Sequence, residues 1–368
     1  MKTKNNSIIG LVFVGAILLA SCNQSDVKMH TIVNKDGTCT REVSYSNVMK
    51  KEVRDSLWGE GKTGWSQPIP NNLNVDAFDG SRTDVREGDT VTTTFWKTFH
   101  SAEEMCQQTP IQLNGARLQS KATIAKRFRW FYTEYTFTET FSCVGDTFKL
   151  PATDYADKDV VSYWFTGQPN LLQGMSGAEA SEELSRMESK ITQWLNGNLF
   201  KTGFDFIVSN YDSIANPPVS RERFVELQDS MARRMLKGHD DVLSIEPTEA
   251  FRQFFNSDAY AMFFDEHTSY GKALNREFTN RMNILWFTVP YTLSMPGKIV
   301  DAGTGVIKDG VIFYPLTGER LIPHDYVITA TSRVTHVWAF IATFLVILLA
   351  IGSFLYKRKI VSEKLYHT

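Results

Sequence analysis

The chain is poor in the residues that usually announce chemistry. Its 368 residues carry four cysteines and seven histidines, and charge nearly cancels, with 39 Lys and Arg against 41 Asp and Glu. A near-neutral chain lacks the basic face that a nucleic-acid partner requires, so no nucleic acid is expected. No CxxC pair is present, which removes a zinc ribbon or a thioredoxin-like redox site. No HExxH places two histidines on one helical face. Gly61-Lys62-Thr63 stops short of a P-loop because Ser56 stands where the first glycine belongs. Gly174-Met175-Ser176-Gly177 stops short of a nucleophile elbow, with Ala178 in place of the second glycine. Long apolar runs are missing from the interior as well. The sequence has two, one near each end.

The C-terminal run, residues 337–356, contains no charge and has the length needed to cross roughly 30 Å of hydrocarbon as one transmembrane helix. Trp338 and Tyr356 suit the two interfaces, and Lys357, Arg358 and Lys359 assign the tail 357–368 to the cytoplasm. Near the start, Lys2 and Lys4 precede an apolar run over 8–20, the pattern of a signal peptide covering 1–21. Leu19-Ala20-Ser21-Cys22 resembles the bacterial lipobox, which implies diacylglycerol on the Cys22 thiol, a third acyl chain on its amine, and 22–26 as a lipidated tether. Two or more chains anchor stably where one does not. The alternative is an ordinary cleaved signal with Cys22 unmodified. On either reading the region between the two runs is exported, and the expected location is the bacterial inner (cytoplasmic) membrane with the main domain extracytoplasmic. The membrane is thus the first partner, met by acyl chains on Cys22 and by the C-terminal helix. An envelope protein or a lipid is the candidate second.

Three cysteines remain in the exported region. Cys39, Cys106 and Cys143 are candidate disulfide partners, and an odd number leaves one thiol over. Sequence does not choose the pair, and buried inert thiols are the other structural reading.

Roughly 310 residues between the ends suffice for one large or two ordinary domains. The order of patterns predicts an α+β fold: β-rich parts at 27–150 and 284–334 forming one sheet region, with a largely helical insertion at 151–283. Residues 29–33 and 38–45 flank Lys35-Asp36-Gly37 and read as a hairpin. A short helix is expected over 48–58, a strand over 90–99, and a helical turn over 102–106. Two strands are expected within 118–141. The run 127–141, RFRWFYTEYTFTETF, puts aromatics on both faces, which predicts a doubly covered central strand or a bulge. Core packing is the preferred reading of these rings over a binding platform.

Ser176 and Glu179 form a capping box ahead of Leu184, Met187, Ile191 and Trp194 at helical spacing. A second apolar stripe follows Gly197, a third helix follows Ser220 and ends at Gly238, and 247–255 and 258–283 read as helical. Strands are expected over 285–293, 298–300, 310–314 and 326–332, separated by turn-forming pairs.

Several of these parts together resemble the LppM-type lipoproteins: the Asp36-Gly37 hairpin soon after the lipid-bearing cysteine, Met295-Pro296-Gly297-Lys298-Ile299-Val300, Ala330-Thr331-Ser332-Arg333 before a terminal span, and the basic stop after it. The resemblance implies one α+β domain between a signal and a C-terminal helix, with the outer strands joining one sheet. It implies no catalytic residues and no cofactor. The leading functional expectation is a non-enzymatic binding or envelope-assembly module with no metal site. The alternative is a hydrolase, metal-dependent or otherwise, using His239 with Asp240 and Asp241, or His267 with Asp265 and Glu266.

Overall fold

The computed structural model describes residues 26–48, 75–85, 90–113, 116–236 and 246–365. The signal-like segment, Cys22, nearly all of the helix expected over 48–58, Gly61-Lys62-Thr63, Gly238, His239 and the end of the tail lie outside the described residues. Within them the α+β architecture is present: strands on both sides of a helical middle, and one apolar helix at the C-terminus.

The first hairpin is the predicted one. Strands β1 (Asp26–Val33) and β2 (Cys39–Val48) pair antiparallel, His30 opposite Glu42 and Val33 opposite Cys39, around a turn in which Gly37 sits at φ 102°. The sheet continues through β3 (Gly80–Val85) and β4 (Thr90–Phe99) on one side. On the other side it recruits late strands, β9 (Thr288–Ser294), β11 (Val306–Lys308) and β12 (Val311–Thr317). Its order is β11-β12-β9-β1-β2-β4-β3, and β1 runs parallel to β9.

A second sheet has the order β10-β13-β8-β7, formed by β7 (Ser120–Phe128), β8 (Tyr132–Phe141), β10 (Lys298–Asp301) and β13 (Tyr326–Thr335). The N- and C-terminal parts therefore do join, but in two facing sheets rather than one. Strands β5 (Ile111–Leu113) and β6 (Ala116–Leu118) make a small separate hairpin. Between the sheets lies one core containing Val43, Tyr45, Phe137, Phe141, Tyr291, Leu293, Tyr314 and Ile328.

The run 127–141 is not one doubly covered strand. A turn at 129–131 divides it, closed by Arg129 N–H donating to Tyr132 O at 2.8 Å, and the side-chain phase restarts there. After the turn, Tyr135, Phe137 and Phe141 face the core; before and within it, Phe128, Trp130 and Phe131 are exposed.

Helices α1 (Ala102–Gln108) and α2 (Lys158–Thr166) precede α3 (Gly177–Ser209), whose capping box is formed as the sequence predicts: Ser176 Oγ accepts from Glu179 N–H, and Glu179 accepts from Ser176 N–H at 2.8 Å. That hydrogen bond holds the Glu179 carboxyl below its usual range. The helix passes through Gly197 without a break, and the glycine is there because Tyr155 lies directly against that position and leaves no room for a Cβ. Its first half contributes Ile191 and Trp194 to the core between the sheets; its second half contributes Phe204 and Ile207 to a separate one.

That second core is built by α4 (Arg221–Glu226), α5 (Gln228–Leu236), α6 (Pro247–Phe255) and α7 (Ser269–Trp286). Phe224 is its centre, stacking on Phe204 with centroids 4.8 Å apart and contacting Tyr211, Phe255 and Tyr260. Two boundaries differ from expectation. Residues 261–263 form a short 3-10 turn before α7, and 285–286 finish α7 rather than opening β9. Finally, β13 leads after one residue into α8 (Val337–Leu365). Its segment Val337–Lys357, 21 residues of mean hydropathy 2.5, is long and apolar enough to cross a membrane.

Candidate functional site

Two polar groupings stand out, on opposite faces of the seven-stranded sheet. The inner one begins with Arg41, which occupies a core-facing position between Cys39 and Val43 on β2. Glu139 does the same on β8, between Phe137 and Phe141. Both are 1% exposed, and Arg41 Nη2 donates to both Glu139 oxygens at 2.9 and 3.1 Å. Tyr291 Oη donates to Glu139 at 2.6 Å and is itself 2.7 Å from Thr31 Oγ1. Ser120 Oγ donates at 3.0 Å, and the Cys106 thiol lies 3.5 Å away. Burial alone works against the guanidinium's charge; the adjacent carboxylate more than offsets it and holds Arg41 above its ordinary range. Burial, reinforced by Glu139, likewise pushes the Tyr291 hydroxyl well up. The cluster is closed, and its chemistry is the joining of two sheets.

The outer grouping is open. The solvent face of the same sheet is concave, a hollow of about 610 Å³ lined by Lys28, His30, Glu42, Ser44, Arg82, Thr94, Trp96, Pro290, Thr292 and Phe313. Alternation explains it: along β1, β2 and β4 every second residue points outward, and apart from Ile32 and Trp96 those residues are polar. Trp96 and Phe313 are the exposed large rings. Trp96 lies across Gly80 of the neighbouring strand, where an added Cβ would come 2.5 Å from the indole, so the glycine sets the ring's position. In the floor, His30 Nδ1 is 3.2 Å from Glu42 Oε2, and His30 Nε2 is 2.9 Å from Ser294 Oγ. With the proton on Nδ1, the ring donates to Glu42 and accepts from Ser294, the connectivity of a serine, a base and its orienting carboxylate.

The residues singled out from sequence are placed differently. Cys39, Cys106 and Cys143 are all free thiols. Burial pushes Cys39 and Cys106 up to about 12, which makes them inert packing groups. Cys143 is exposed and donates to Ile322 O at 3.3 Å. His267 is exposed in the turn before α7, where its backbone N–H donates to Asp265 Oδ1 at 2.9 Å. Among the described residues no group of three or more His, Cys, Asp or Glu is placed to hold a metal ion. Ser176 caps α3 and is engaged there.

His30, Glu42 and Ser294 are what sequence reasoning missed. The hairpin register alone puts His30 opposite Glu42, so that pair is readable from the Asp36-Gly37 turn. Ser294 is not, since it reaches His30 only through the parallel pairing of β1 with β9.

Fold and site together define an α+β domain of two facing sheets with a helical insertion, a concave polar face and one terminal apolar helix. No family model, curated protein or solved structure matches this chain.

Proposed function

We propose that this chain is a single-pass membrane protein of the bacterial envelope, acylated at Cys22, whose exported domain is a binding module for an extended polar ligand. The reading accords with the resemblance to LppM-type lipoproteins. The observation that carries it is the hollow on the outer sheet face, where a polar floor lies between Trp96 and Phe313. A ligand there gains ring contacts at Trp96 and Phe313 and hydrogen bonds along the middle, the usual division of labour in a specific site. The expected result is saturable binding of soluble cell-wall glycan fragments to the full chain in detergent, followed by tryptophan fluorescence. Trp96→Ala should weaken it about tenfold, as truncating an aromatic anchor does, and Gly80→Ala should weaken it by displacing the ring. Unchanged affinity in both variants rejects this site.

The Ser294–His30–Glu42 arrangement favours acyl transfer as a second reading. Against it, β9 lies between β12 and β1, so ladders on both sides engage the strand's own N–H groups, which leaves fewer to stabilise an oxyanion beside Ser294. An activated Ser294 should take up a fluorophosphonate probe, with labelling lost in Ser294→Ala and His30→Ala. Wild-type protein that stays unlabelled leaves binding as the function.

A further inference from the structure

The turn at 129–131 does not end in solvent; it rides on the apolar helix. Trp130 meets Trp338 edge-on with centroids 5.2 Å apart, and Phe131 meets Phe340 at 4.7 Å. Phe128 stacks on His336 at 5.1 Å, and His336 stacks in turn on Trp338 at 5.8 Å. Trp130 Nε1 donates to Thr343 Oγ1 at 2.9 Å. The contact leaves its mark on α8: Ala339 is buried, Ala342 and Thr343 are half-buried, and the other residues of 337–357 are exposed. Those three positions are i, i+3 and i+4, one face of the helix.

Thr343 lies six residues beyond Val337, a depth of about 9 Å at the helical rise. The turn therefore accompanies the helix past its first residue and well along the first third of the apolar segment. Yet Phe128 remains 62% exposed, Trp130 50% and Phe131 38%. Large rings left open beside an apolar helix, with Arg127 and Arg129 exposed between and behind them, are the composition of a bilayer interface, where aromatics sit at headgroup level and arginines reach the phosphates.

The three carbonyls of the turn and the Arg129 N–H satisfy the other demand of that environment, that polar groups be paired internally. Arg129 N–H and C=O both bond to Tyr132, at 2.8 and 3.2 Å. Phe131 O accepts from His336 N–H at 2.8 Å. His336 Nδ1 lies 3.3 Å from Trp130 O, while Nε2 lies 2.9 Å from Thr133 Oγ1.

We infer that the β7–β8 hairpin tip, residues 128–131, is a second membrane-seated element, with its rings in the headgroup and upper acyl region of the bilayer that α8 crosses. This rests on the proposal that 337–357 spans a membrane. Seated in this way, the tip splints the helix to the four-stranded sheet and fixes the domain's orientation on the surface.

The test uses the full chain in phosphatidylethanolamine and phosphatidylglycerol vesicles. Phe128, or in a second variant Phe131, is replaced by p-benzoylphenylalanine and irradiated, with the same replacement at Phe313 as the control. Phospholipid adducts are expected by mass spectrometry at 128 and 131 and their loss at 313. Release of the protein from vesicles by alkaline carbonate would overturn the membrane-spanning proposal and this inference with it. Retention without lipid adducts at 128 and 131 overturns the inference alone, as do adducts at those positions to a second copy of the chain in place of lipid.

Discussion

Replacing Arg41 by methionine is expected to lower the stability of the two-sheet domain by about 3–5 kcal/mol, because it strands the Glu139 carboxylate between two sheets. The loss should appear as a fall of about 10 °C in the melting temperature of the full chain in detergent, followed by circular dichroism. Tyr291, Ser120 and Cys106 still approach Glu139 in that variant, but none carries a positive charge. Removing the charge on both sides, in Arg41→Met with Glu139→Leu, should recover most of the loss, since a buried pair costs its own desolvation. A single variant within 1 kcal/mol of the parent, or a double variant no better than the single, contradicts this account of the pair. The wider implication is that Arg41 and Glu139 specify how the sheets register more than they stabilise the fold: Arg41 Nε has no partner, which an optimised apolar contact would not tolerate.

The second large effect is expected at Phe224. It is fully buried among Phe204, Tyr211, Phe251, Phe255 and Tyr260. Truncation to alanine should cost about 3–5 kcal/mol through lost contact and the cavity left behind. Because this core is separate from that of the sheets and joined to it by α3 and α7, the damage should be local. Hydrogen exchange followed by mass spectrometry should show protection lost in α4 to α6, the N-terminal half of α7 and the C-terminal half of α3, and kept in β1, β8, β9 and β13. Equal loss in the strands would mean that the two cores unfold as one unit.

How much of this was legible depended on whether the governing contact was local. The first hairpin was, because Asp36-Gly37 fixes its register and so places His30 beside Glu42. The capping box at Ser176 was, because both partners lie within one turn of helix. The strand and helix boundaries near 285 were not: Leu285 and Trp286 suit either state, and α7 simply runs on. The aromatic run 127–141 misled because periodicity was read across a turn that contains no glycine or proline; its rings substitute for turn chemistry by packing on a helix some two hundred residues later. The buried pair left a signal that could have been followed. Arg41 and Glu139 are opposite charges at inward positions of two otherwise apolar strand faces, and such residues are rarely buried unless paired. Ser294 left none, since only the parallel β1–β9 pairing brings it to His30.

β1 crosses the domain from Asp26 to Val33. Its turn end lies near the helix end of the second sheet: Lys35 O accepts from Lys126 Nζ at 2.9 Å and from Tyr135 Oη at 2.7 Å, close to the β7–β8 tip. Asp26 is thus at the opposite end of β1 from this contact, about 23 Å along the strand at the rise of a strand. Cys22 stands four residues before it, and four residues of chain reach about 14 Å at most. The chain thus enters β1 at the end away from the apolar helix, and a lipid on Cys22, as proposed, and the helix would pull on opposite ends of that strand.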